Sequence, residues 1–109
     1  MNDIVREERK IKIGNQKYIM YFDMKSIATY FKLTGRQFNL DLISLFNQED
    51  EAIINFIASI VRKEDDENRE PLGKEVIEGD VLTWLFNCKM DAIEIIEKSL
   101  PQDEPDKKK

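Results

Sequence analysis

Cys88 is the one thiol in the chain, and the sequence contains no histidine to activate it. A cysteine nucleophile needs a neighbouring base or a cation that holds the thiolate. Cys88 instead falls on the apolar side of a helical pattern, where a buried, inert thiol is expected. The missing histidine also removes the commonest general base, the usual metal ligand and the side chain that titrates near neutrality. One cysteine without histidine cannot build a zinc site of Cys/His spacing. Adjacent carboxylates occur at Glu7–Glu8, Glu49–Asp50 and Asp65–Asp66. Each pair lies in a polar, wet stretch, where carboxyl pKa values stay ordinary. DDEN, Asp65 to Asn68, lacks the alternating ligands, central glycine and closing glutamate of a calcium loop. The glycines are dispersed and make no phosphate cradle. These gaps predict no catalytic residue, no metal and no cofactor, and so no enzyme.

Basic and aromatic residues interleave in one place: Arg9, Lys10, Lys12 and Lys17 with Tyr18 and Tyr21. Such a ribbon can bind a nucleic acid strand. A net charge of −5 opposes generic phosphate binding, whose affinity comes from lysine and arginine displacing counterions. Charged residues also guard edge strands against aggregation, and that reading is preferred.

The elements that position these residues follow from patterning. The chain has 109 residues, enough for one core but hardly for two. An apolar fraction of 41% is too high for full disorder. No apolar run resembles a signal peptide or spans a bilayer, so a cytoplasmic location is expected. Residues 1–8 read as a flexible N-terminus, 9–100 as one globular domain and 101–109 as a disordered charged tail. In RKIKIGNQKYIMYF, period-2 alternation and the Gly14-Asn15 turn predict a hairpin pairing Ile13 with Gln16, Ile11 with Tyr18 and Arg9 with Met20. Asp23 is a good N-cap and Gly35 a good C-terminal stop for a helix over 24–34. Its stripe reads as Met24, Ile27, Ala28 and Phe31, and Phe22, Phe31 and Phe56 are expected in the core. FNLDLISLF fits neither template and predicts a short helix from near Asp41. Ile53, Phe56, Ile57, Ile60 and Val61 predict a helix over 50–63, followed by an acidic loop and a turn or two of helix over 74–78. Asp80 caps a last helix that runs to about Leu100 and stops at Pro101.

That last helix carries two apolar lines. Val81, Leu85, Cys88, Ala92 and Ile95 form one. Leu82, Phe86, Ile93 and Leu100 form a second beside it, interrupted by Lys89. Together they cover about half the helix, wider than the ~100° stripe of an ordinary surface helix. The surplus predicts a binding surface made by Leu82, Phe86, Ile93 and Leu100. Trp84 at its flank either anchors a partner or closes the core. The expected fold class is α+β and mainly helical, a two-stranded hairpin packed on about four helices. The helix over 24–34 is expected to cover the hairpin face formed by Ile11, Tyr18, Met20 and Phe22.

KIGNQKYIMYFDMKSIATYFKLTGRQF, Lys12 to Phe38, resembles the N-terminal signature of tail assembly chaperones of long-tailed bacteriophages and prophages of Gram-positive hosts. That signature has a short hairpin, an aromatic second strand ending in Phe-Asp and a helix of the type SIA…LTG. The likeness extends to the final EKSLP and covers about Arg9 to Pro101. It departs at Tyr30-Phe31-Lys32, where relatives are expected to carry an acidic residue. The resemblance implies a non-enzymatic chaperone in the host cytoplasm, absent from the finished virion. Such a protein binds the tape measure protein and keeps it soluble while the tail tube assembles, with the major tail tube protein as a second partner and homo-oligomers as a further state. Two other readings stay open from the residues: a small nucleic-acid-binding regulator, and a generic oligomeric interaction module.

Overall fold

The computed structural model describes residues 7–99. Most of the expected loose N-terminus, Leu100, Pro101 and the charged tail lie outside them. Among the described residues, three antiparallel strands and five helices form an α+β fold in the order β1-β2-β3 across the sheet.

Strands β1 (Arg9–Ile13) and β2 (Gln16–Met20) form the expected hairpin in the expected register. Gly14, at φ 63°, supplies the positive first central position of its two-residue turn. Helix α1 (Met24–Thr34) starts on a reciprocal cap. The Asp23 carboxylate accepts from the Ser26 amide at 3.1 Å, and the Ser26 hydroxyl accepts from the Asp23 amide at 3.2 Å. It ends at Gly35 in the left-handed region, φ 72°. A single 3₁₀ turn, Phe38–Asp41, leads into the short α2 (Leu42–Phe46).

Helix α3 (Asp50–Ile60) is the centre of the molecule. Its Ile53, Phe56, Ile57, Ala58 and Ile60 are fully buried, and it packs against α1, the short α4 (Lys74–Glu78) and the long α5 (Val81–Ser99). Phe38 joins the hairpin to this core. Its ring lies 4.8 Å from Phe22, 5.4 Å from Phe56 and 5.6 Å from Tyr30, centroid to centroid.

The structure corrects three expectations. Helix α3 stops at Ile60, not Lys63. Val61 turns extended (φ −88°, ψ 136°) and begins β3 (Val61–Lys63), which pairs with β2 as Met20↔Val61, Ile19↔Arg62 and Tyr18↔Lys63. Ile60 and Val61 are β-branched and suit either state, so long-range pairing decides. Second, α1 turns a different face inward. Ser26 and Tyr30 are buried, whereas Phe31 is 53% and Met24 71% exposed, so Phe31 is not core. Third, α5 rather than α1 covers the hairpin, and Trp84 packs edge-on against Tyr18 with centroids 5.0 Å apart.

Arg62 explains the second correction. It is fully buried, and its Nη2 donates to the Asp23 carboxylate at 2.7 Å and to the Ser26 hydroxyl at 3.2 Å. Its Nη1 donates to the carbonyls of Tyr21 and Ile60, and its Nε to that of Arg69. The guanidinium also lies 3.8 Å from the centroid of the Tyr21 ring. A buried charge must be paired and hydrogen-bonded. Meeting that demand pins the N-terminus of α1 with Ser26 inward, and Phe31 turns to solvent.

Candidate partner-binding surface

Helix α5 begins where Asp80 accepts from the Thr83 amide at 3.3 Å and from the Thr83 hydroxyl. These bonds hold the Asp80 carboxyl below its ordinary range. No glycine or proline interrupts 81–99, so the helix runs unbroken. One line of its arc is core: Cys88, Ala92 and Ile95 are fully buried, with Val81 and Leu85 half-buried. Burial, with a smaller contribution from Asp91, pushes the Cys88 thiol up to about 12. A thiol so buried stays protonated at neutral pH.

The second line splits along the helix axis. Leu82 is 64% exposed and Phe86 85%. Ile93 is 8% exposed and belongs to the core, so it leaves the set of accessible candidates. At about 100° per residue Ile93 lies only about 20° around the helix from Leu82. Position along the axis, not angle, therefore separates them. Along this second line the C-terminal half is covered, and the N-terminal half is bare. Trp84 is half-buried against the core through Tyr18. Leu100 lies outside the described residues. Met90, 66% exposed, completes a row Leu82–Phe86–Met90 at i, i+4 and i+8. The spacing of the row is legible in the sequence, although Met90 lies on neither apolar line. Lys89, which interrupts the second line, reaches Asp50 at 3.5 Å.

A second apolar surface lies over α1. Phe31, Ile27, Ala28 and Phe38 line a groove of about 570 Å³ with Gln37 and Asn39 at its end. The sequence showed this stripe and assigned it to the core. Leu40, Ile43 and Phe46, at or above 50% exposure, add further bare apolar groups on the segment that follows.

The polar cluster beside α1 and the 3₁₀ turn is closed on itself. Tyr30 Oη donates to Asp41 at 2.7 Å, and Arg36 donates to the same carboxylate at 2.8 Å from Nε. The bond from Arg36, more than that from Tyr30, holds Asp41 below the usual carboxylate range. Burial and the acceptor Asp41 both raise the Tyr30 phenol. A carboxylate so fully engaged offers no free base to the cavity of about 420 Å³ beside it. Among the described residues, no group of three or more Cys, Asp or Glu is placed to hold a metal, and no helix is long and apolar enough to cross a membrane. No family model, curated protein or solved structure matches the chain.

Proposed function

We propose that this chain is a non-enzymatic tail assembly chaperone of the kind made by long-tailed bacteriophages, acting in the host cytoplasm and left out of the finished virion. It binds the tape measure protein and keeps it soluble during tube assembly. The bare Leu82–Phe86–Met90 row carries the reading. A regular helix with large apolar groups on an uncovered side is the counterpart of an amphipathic partner helix. Fully burying three such side chains is worth about 1.5–3 kcal/mol each, whereas association itself costs about 4–15 kcal/mol. One row therefore binds weakly. Several copies along one long tape measure chain gain by avidity, which suits a protein that must coat and then leave.

The test is co-expression with the tape measure protein encoded beside this chain, measuring how much of it stays soluble and co-purifies at low and high salt. Rescue that resists salt supports apolar capture. A well-folded chain that rescues nothing overturns the reading. Self-association through the same row is the competing use of this surface, and sedimentation across a concentration series separates the two. A chaperone whose row is free for its client stays monomeric, and an oligomeric module assembles.

A further inference from the structure

The two edges of the sheet are treated differently. On β3 the Val61 carbonyl accepts from the Leu72 amide at 2.9 Å, so a following loop closes that edge. The Glu64 amide donates to the Lys17 carbonyl and the Tyr21 amide to the Ile60 carbonyl. The odd-numbered residues of β2 thus turn their backbone groups toward β3. The even-numbered ones bond to Arg9, Ile11 and Ile13 of β1, their partners in register. The backbone groups of Lys10 and Lys12 are left pointing away from the sheet, with no partner among the described residues.

The charge on this edge is concentrated. Lys10 and Lys12 project from the face opposite Ile11 and Ile13, and Lys17 stands directly across from Lys12. Lys10 reaches Glu64 at 3.6 Å, while Lys12 and Lys17 have no ion-pair partner among the described residues. A hollow of about 370 Å³ lies among Lys10, Lys12, Lys17 and Glu64. Lysines on an edge strand deter aggregation. That accounts for Lys10 and Lys12 but not for Lys17, which is on the central strand. Like charges directly opposed across two strands are destabilising, and Glu64 is a single carboxylate among three lysines, so the Lys12–Lys17 pair gains from a further anion.

We propose that the open edge of β1 binds an extended acidic segment of a partner protein as an added strand. Backbone pairing with Lys10 and Lys12 holds the segment. Its alternate side chains are Asp or Glu, meeting Lys10, Lys12 and Lys17. The residues between them are apolar and lie beside Ile11 and Ile13, on the face that α5 covers. A second copy of this chain does not fit, because pairing two β1 strands sets lysine against lysine. Nucleic acid lacks a stacking platform there. Tyr18 lies on the other face against Trp84, and Tyr21 is 4% exposed beneath Arg62.

The experiment titrates the full chain with a capped peptide of alternating Glu and Val, following amide exchange by NMR and affinity by anisotropy. The expected result is slowed exchange at the Lys10 and Lys12 amides while Ile11, already bonded, is unchanged. Changing Lys10, Lys12 and Lys17 together to Gln, at exposed positions that leave the fold intact, weakens binding about tenfold. A Lys/Val peptide does not bind. Two results overturn the proposal: peptide binding without protection at Lys10 and Lys12, or oligothymidylate binding to the lysines more tightly than the acidic peptide does. Absence of peptide binding by a chain with wild-type spectra overturns it as well.

Discussion

The guanidinium of Arg62 ties the end of β2, the cap of α1, the end of α3 and the loop after β3 to one buried point. Removing it takes one of two donors from each of the Tyr21 and Ile60 carbonyls and leaves Asp23 without its cation. Arg62→Ala is therefore expected to cost about 3 kcal/mol, the lower end for a broken buried pair because Asp23 keeps some access to water. Urea denaturation measures it, and a loss below about 1 kcal/mol would show that the clasp does not hold these segments. Asp41 supplies a pH-dependent case. A carboxyl held below its unfolded value of about 3.9 contributes stability that is full above that pH and fades as pH falls through the folded value. Asp41→Asn should thus be less stable than wild type at pH 7, and the gap should close in strongly acidic buffer. Melting curves from neutral pH downward check it. A gap that stays constant would remove the Arg36–Asp41–Tyr30 cluster as its cause.

At the scale of elements, the hairpin and α5 make opposite predictions about surface change. Lys12→Glu, on the edge strand, places a carboxylate across from Lys17 and should raise stability by about 0.2–1 kcal/mol. No change or a loss, read from the melting midpoint, would mean that the opposed lysines do not strain the hairpin. On α5, Phe86→Asp should leave stability within about 0.5 kcal/mol of wild type while ending co-purification of the tape measure protein. Ile93→Asp, about two turns on in the covered half, should cost about 3 kcal/mol or more by burying an unpaired charge. If both variants unfold the chain, the bare row is core. If Phe86→Asp still binds, the groove over α1 is the better surface.

For the whole molecule, α3 and β3 are one continuous segment, so the helical core and the sheet share covalent and hydrogen-bonded support. Native-state amide exchange should give Ile57 in α3 and Met20 in β2 a common free energy, that of global unfolding. Residues of α2, a single short turn with Ile43 and Phe46 exposed, should exchange by local opening at a lower one. Separate unfolding energies for the sheet and α3 would show that Arg62 and β3 do not couple them.

Much of this architecture was readable in the chain. Gly14-Asn15 set the register of the hairpin, Asp23 and Gly35 bounded α1, and Asp80 began α5. Each depends on backbone angles and hydrogen bonds among residues within a few positions, which residue types specify directly. Periodicity likewise marked the apolar stripes of α1, α3 and α5, including Ile27–Ala28–Phe31 and the N-terminal half of the α5 arc, but neither Met90 nor the bare Leu40, Ile43 and Phe46. It did not reveal which stripe would be covered. Phe31 is bare because Arg62, far along the chain, pulls Ser26 inward. α3 ends at Ile60 because β2 offers Val61–Lys63 a ladder, and Ile93 is buried while Phe86 is not because the body of the protein covers this side of α5 only in its C-terminal half. A repeat in sequence creates a face, but burial belongs to the neighbours brought against it, and only the tertiary structure supplies those.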